Sequence, residues 1–205
     1  MAKKIKAEAD ITTEEKIKDA ARKVFLQKGY AGTRTRDIAE AAGLNLALLN
    51  YYFRSKEKLF EIVMMEKMQK MFGGLIPVLT NEAIGLEEKI QMIVSNYIDM
   101  LLDNPDLPIF VLSEIRNHPD KFANNFQVNS VINSSSFLKQ LHAKQPGINP
   151  LHFLMNIIGM TVFPFVAKPV LQSIGALDTK AFDELMEQRK TLIPEWINGV
   201  LNSSK

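Results

Sequence analysis

Residues 35–60 read TRDIAEAAGLNLALLNYYFRSKEKLF, and no other stretch limits the fold so sharply. Thr35 is placed to N-cap a helix, with Asp37 in the first turn, where negative charge suits the helix dipole. Ile38, Ala39 and Ala42 give that helix one small apolar face. Gly43 falls where a left-handed C′ residue ends a helix. Leu44 turns inward, and Asn45 stands as the cap of a second helix, from Leu46 to about Phe53. Ser55 caps a third, with Glu57 in its first turn. Two short helices joined by a tight Gly-containing turn form a helix-turn-helix pattern. An ordinary αα-corner has the same spacing, so the flanking sequence decides between the two.

In helix-turn-helix geometry the second helix lies in the DNA major groove. Leu44, Leu49 and Phe53 share the inner face, which turns Leu46, Ala47, Asn50 and Tyr51 outward. Two adjacent tyrosines and an Asn on the outer side exceed what solvation alone selects. Upstream, Thr12 and Glu15 have capping-box spacing. Ile17, Ala20, Ala21, Val24 and Phe25 then follow at i, i+3, i+4, i+7 and i+8, and Gly29 ends this supporting helix. A three-helix head over residues 12–60 results. Residues 1–11, with Lys3, Lys4 and Lys6, read as a flexible basic arm. The third helix of the motif continues from Lys56 to about Phe72 with no linker, until Gly73, Gly74 and Pro77 interrupt it.

Charge follows the same division. Residues 1–60 hold 13 Lys/Arg against 8 Asp/Glu, and residues 61–205 hold 12 against 15. A basic head on a mildly acidic body suits nucleic acid at one end and something else at the other.

The body, residues 61–205, reads as helices throughout. One runs from about Leu86 to Leu102, and a short one from Asp106 to Asn117. Another begins at Pro119, with Gln127–Ser136 polar and weakly periodic. Asn149 caps a very apolar helix with Pro150 at N1, kinked or ended near Pro164 and Pro169. Asp178 caps the last, to about Asn202, with Pro194 bending it. No alternating strand pattern, internal repeat or heptad occurs, so the fold class is all-α with about nine helices.

Several function classes are disfavoured. With no Cys there is no disulfide, thiolate metal site or Cys nucleophile, which fits a reducing cytoplasm. The N-terminus lacks the apolar core of a secretion signal. Phe153–Leu171 has the length of a membrane span, but Asn156, Pro164, Lys168 and Pro169 make it a core or dimer helix. His118, His142 and His152 are too scattered for a helical metal pair. Glu114, Arg116 and His118 read as surface ion-pairing. There is no Gly-rich phosphate loop and no nucleophile elbow. No catalytic residue, metal or cofactor is expected.

The sequence resembles the TetR family of bacterial repressors. The match lies in Thr35-Arg-Asp-Ile-Ala-Glu-Ala-Ala-Gly43, Leu44-Asn45, Leu49, Tyr52-Phe53, Ser55-Lys56 and Leu59, with Ala20-Ala21, Phe25, Gly29-Tyr30 and Thr33 upstream. It covers roughly residues 12–60; the body agrees only in length and helical layout. The resemblance implies a three-helix DNA-binding head on a ligand-binding and dimerisation body. It implies phosphate contacts at Thr35, Tyr52 and Lys56, to which Arg34 adds a guanidinium in reach. It implies base-facing positions at Leu46, Ala47, Leu48 and Tyr51, with Arg36 and Asn50 able to reach base edges. Leu46, Leu48 and Asn50 depart from the family's commoner residues there, so the operator sequence is not legible. The last two helices imply a homodimer, with Met155, Ile158, Phe165 and Trp196 at its interface.

The expected partners are double-stranded DNA, a second copy of the chain and a small apolar inducer, with no membrane. Expected pocket residues are Met64, Met68, Met71, Tyr97, Phe110, Phe126 and Asn156, because ten Met residues suit an adaptable apolar cavity. The function expected is a ligand-responsive repressor acting on a palindromic operator. The alternatives are a constitutive helix-turn-helix regulator and a helical protein-binding adaptor.

Overall fold

A computed structural model of the chain describes residues 2–175 and 177–203, with side chains from residue 12 onward. Twelve helices and no strand occur among the described residues, against about nine expected. The extra helices arise where the sequence is least periodic. Residues 119–144 form three short helices, α7 (Pro119–Asn125), α8 (Val128–Ser134) and α9 (Ser136–Lys144). Gln127, in the left-handed region at φ 47°, turns the chain between the first two.

The chain divides into two compact units, Met1–Met68 and Gln69–Lys205, so the first extends past residue 60. It contains α1 (Ala2–Gly32), α2 (Thr35–Ala41), α3 (Leu46–Tyr52) and the start of α4 (Lys56–Thr80). Helix α1 begins at Ala2, not at the Thr12 cap, so the backbone of the expected basic arm is helical. Ala, Lys and Glu dominate that stretch, with no Gly or Pro to stop a helix. The lysine side chains of the arm lie outside the described residues. The core of this unit comes from the periodic positions of α1 with the inward residues of the motif: Ile17, Ala21, Phe25, Ile38, Leu49, Phe53 and Leu59 are all buried. Each fully buried Ile, Leu or Phe among them contributes about 1.5–3 kcal/mol.

Ion pairs brace α1 against α4 within the unit. Glu66 accepts from the Arg22 guanidinium and, at 3.3 Å, from the Lys18 ammonium. Burial pushes the Glu66 carboxyl up, but these two donors outweigh it and leave its pKa below the ordinary 4.5.

The second unit is built around α5 (Leu86–Asp103), whose Ile90, Ile93, Val94, Ile98 and Leu101 are buried. It packs against α9, α10 (Pro150–Val166) and α12 (Thr179–Asn202). Helices α6 (Leu107–Asn117) and α11 (Lys168–Gly175) complete it. Asn149 and Asp178 cap α10 and α12, accepting from Leu151 N–H at 3.0 Å and Ala181 N–H at 2.8 Å. Helices α10 and α11 meet at 65°, and no single helix among the described residues is long and apolar enough to cross a membrane.

Helix α4 passes through Gly73 and Gly74 and ends one turn beyond Pro77, where an interruption was expected. Each Gly costs about 1 kcal/mol against Ala, a small penalty beside the burial of a helix's apolar face. Its last turn is held from across the unit by Lys89, which has no exposed surface. The Lys89 ammonium donates to Ser136 Oγ at 2.5 Å and Gln140 Oε1 at 3.0 Å. The Ser136 hydroxyl in turn faces the carbonyls of Leu79 and Asn81, each at 3.1 Å. A cation thus sits behind a helix C-terminus, where the exposed carbonyls carry partial negative charge.

Candidate nucleic-acid interface and body cavity

The turn of the helix-turn-helix is fixed by local chemistry. Gly43 adopts φ 67°, the left-handed conformation its position required. The Leu44 N–H donates to Ala39 O at 2.9 Å and the Gly43 N–H to Glu40 O at 3.0 Å, closing a Schellman motif at the end of α2. Asn45 Oδ1 accepts from the Leu48 N–H at 2.7 Å and caps α3. Ser55 Oγ accepts from the Lys58 N–H at 3.1 Å and caps α4. The cap of α2 differs from expectation. Arg34, not Thr35, occupies the N-cap position, and Thr35 is the first helical residue. The Arg34 N–H donates to Asp37 Oδ2 at 3.0 Å, so the helix start is secured from its third residue. That N–H, then the Lys28 ammonium at 3.2 Å, hold the Asp37 carboxyl below its usual pKa.

These caps set what α3 shows to solvent. Leu49 is buried and anchors the helix. Ala47, Asn50 and Tyr51 are exposed, with Tyr51 at 78%, while Leu46, Leu48 and Tyr52 are half-buried. The Tyr51 and Tyr52 rings meet edge to face at 5.3 Å. Arg34 and Arg36 are exposed at the start of α2, with Thr35 half-buried between them. Arg34, Arg36, Asn50 and Tyr51 thus give the exposed side of the α2–α3 motif two guanidiniums, an amide and a phenol.

Lys56 has a second occupation that the sequence did not reveal. Its ammonium donates to Tyr30 O at 3.0 Å and Thr33 O at 3.1 Å, and sits 4.1 Å from the centre of the Tyr30 ring. The buried Thr33 hydroxyl donates to Gly29 O at 2.7 Å, and the Tyr30 hydroxyl to Glu57 Oε1 at 2.9 Å. The Tyr30 and Phe60 rings lie 4.7 Å apart. Lys56 therefore pins the end of α1 and its connection to α2 against the start of α4. Two of its three N–H groups go to these carbonyls, which leaves one uncommitted. No spacing rule could show this, because the acceptors are backbone carbonyls more than twenty positions away.

The second unit encloses a cavity of about 270 Å³. Met71, Tyr97 and Phe126 line it, as expected. Phe126 stacks on Phe72 at 4.4 Å and leans on Phe122 at 5.0 Å, making one aromatic wall. The other four expected pocket residues lie elsewhere. Met64 and Met68 are buried in the first unit, Phe110 is buried outside the lining, and Asn156 is exposed. Helical periodicity marks an apolar face but not which neighbour that face meets. The lining from α6 and α8, including Leu112, Ile115 and Ile132, was missed. Its only signal was an α6 apolar on more than one side. Among the described residues there is no group of three acidic, His or Cys side chains able to hold a metal.

The interface residues expected on α10 and α12 separate. Met155, Ile158 and Trp196 are exposed, at 57%, 44% and 46%. Phe165 is 7% exposed and packs edge to face on Phe182 at 5.6 Å, so it belongs to the core of its own protomer. Because α10 is apolar on most sides, its sequence does not tell inner from outer positions.

A capped, Schellman-turned pair of helices on a supporting helix, with the second helix exposed, has the arrangement of a helix-turn-helix domain. Residues 17–63 match the family model for bacterial regulatory proteins of the tetR family. Over this domain the chain is similar to the TetR family. It is 29% identical over 106 residues to YttP of Bacillus subtilis (strain 168), a probable HTH-type transcriptional regulator; the aligned region is 51% of each chain. It is 29% identical over 110 residues to the HTH-type transcriptional repressor NicS of Pseudomonas putida, covering 54% of this chain and 51% of NicS. The chain thus spans about half the length of the curated relatives it matches. The structure is similar over most of its length to the fatty acid degradation regulator FadR of Bacillus halodurans. That likeness has a TM-score of 0.53 and 22% identity, covering 89% of this chain and 94% of FadR, and concerns the fold.

Proposed function

We propose that the protein is a homodimeric, cytoplasmic transcriptional repressor that leaves a palindromic operator when a small apolar molecule enters the body cavity. The observation that carries the DNA half is the exposed face of α3, where Ala47, Asn50 and Tyr51 are held outward by the Asn45 cap and the Leu49 anchor. Arg34, Thr35, Tyr52 and the remaining N–H of Lys56 contact phosphates and fix the register. Leu46, Ala47 and Leu48 offer apolar contact to thymine methyls, while Arg36, Asn50 and Tyr51 reach base edges. The relative NicS is a repressor, which favours repression over activation.

The cavity supports the sensor half. It is apolar nearly throughout, and the end of α4 contributes Met71, Phe72, Leu75 and Leu79 to its wall. The same helix begins at Lys56, in the head. A ligand that prefers one position of this helix biases the head, by no more than its affinity difference between the two states. The exposed Met155, Ile158 and Trp196 form the apolar face on which a second copy docks. Two recognition helices then meet successive major grooves, with half-sites about 34–36 Å apart.

Selection from a random duplex pool followed by mobility shift tests both halves. The expected outcome is a two-fold symmetric consensus, and a complex that dissociates when apolar compounds are added. Binding that no apolar compound weakens would remove the sensor half and leave a constitutive regulator.

A further inference from the structure

The cavity has a chemical selectivity that its apolar character alone does not state. Its lining contains no Asp, Glu, Lys, Arg or His, and only three polar side chains, Tyr97, Ser135 and Thr161. Two of these already bond to the protein. The Thr161 hydroxyl donates to Ile157 O at 2.7 Å, back along its own helix. Ser135 Oγ accepts from the Leu138 N–H at 3.2 Å and caps α9. Tyr97 differs, since its hydroxyl makes no hydrogen bond to any described residue. Burial pushes its phenol up to about 12, so it remains a protonated donor throughout the physiological range. A hydroxyl donor in an apolar lining with no protein partner is open to an acceptor on a ligand. An ionised ligand would shed its hydration in a lining that offers no countercharge.

We propose that the cavity selects neutral ligands, an apolar body bearing one hydrogen-bond acceptor such as a ketone, ester or ether, which the Tyr97 hydroxyl holds. This rests on reading the cavity as the ligand site. Tyr97 then serves as the specificity residue: it separates a carbonyl compound from a hydrocarbon of the same shape, and the bare lining rejects the matching acid.

Competition against the fluorescent apolar probe N-phenyl-1-naphthylamine tests this on the full-length protein. The three competitors are butylbenzene, butyrophenone and 4-phenylbutyrate, which share a ring and a similar carbon skeleton. Butyrophenone is expected to displace the probe at about five- to tenfold lower concentration than butylbenzene, the worth of one net hydrogen bond. Phenylbutyrate is expected to be the weakest. Tyr97→Phe is expected to erase the ketone's advantage and leave butylbenzene unchanged. The carbonyl infrared band of bound butyrophenone is expected to move to lower frequency in the wild type. That band and the wild-type ranking decide the matter even if the variant fails to fold. Equal displacement by ketone and hydrocarbon, or strongest displacement by the acid, would overturn the neutral-acceptor proposal while keeping the cavity as a ligand site. A probe that gains no fluorescence with the protein would overturn both.

Discussion

Lys56 and Tyr51 lie five positions apart and do different work. Lys56 holds two backbone carbonyls at the end of α1 and just after it, and covers the Tyr30 ring. Lys56→Met leaves both carbonyls without that donor. It is expected to lower stability by roughly 1–3 kcal/mol, read as an earlier midpoint in urea unfolding. It is expected to weaken DNA binding as well, by loss of the remaining N–H. Tyr51 is mostly exposed, so Tyr51→Ala should shift stability by less than about 0.5 kcal/mol. It should still reduce affinity for a selected duplex. A Lys56→Met protein that unfolds at the wild-type midpoint would show the clamp to be unimportant. The sequence exposed the Asn45 and Ser55 caps because their partners lie three residues away. It hid the Lys56 clamp because the partners are backbone carbonyls more than twenty positions away.

At the scale of elements, the first unit depends on α1 being braced to α4 through Glu66. The folded Glu66 has a pKa below its ordinary 4.5, held there by Arg22 and Lys18 against burial. A depressed carboxylate contributes stability that is fully present above the unfolded value and is lost as pH falls through the folded one. Acid unfolding of the wild type should therefore steepen below about pH 4.5, and Glu66→Gln should flatten that limb while lowering stability at neutral pH. Identical acid limbs in the two proteins would show the brace to be idle. Element boundaries were legible wherever a cap or a Gly set them, as at Gly43, Asn149 and Asp178. They were not legible where packing overrode local preference. Helix α4 runs on through two glycines, and residues 127–136, with little periodicity, fold into α8 and the start of α9.

At the scale of the whole molecule, burial decides which apolar residues are open to the proposed second copy. Phe165 is inside the protomer, whereas Met155 and Trp196 are outside it. The sequence could not sort them, because α10 carries apolar residues on nearly every side. Met155→Glu with Trp196→Glu places two charges on the proposed dimer face. The expected result is a monomer by sedimentation, with unfolding close to wild type and weak binding to a two-half-site duplex. A dimer that persists would move the interface elsewhere.

The proposed operator binding is tested most directly by salt. Fluorescence anisotropy of a selected duplex, titrated with the protein at several salt concentrations, reports how many phosphates the head engages. Of the four contacts per protomer, at Arg34, Thr35, Tyr52 and Lys56, only Arg34 and Lys56 are cationic, which gives four neutralised phosphates per dimer. A slope of log K against log salt of about −4 is expected. A slope near zero, with no preference for a two-fold symmetric duplex, would contradict it.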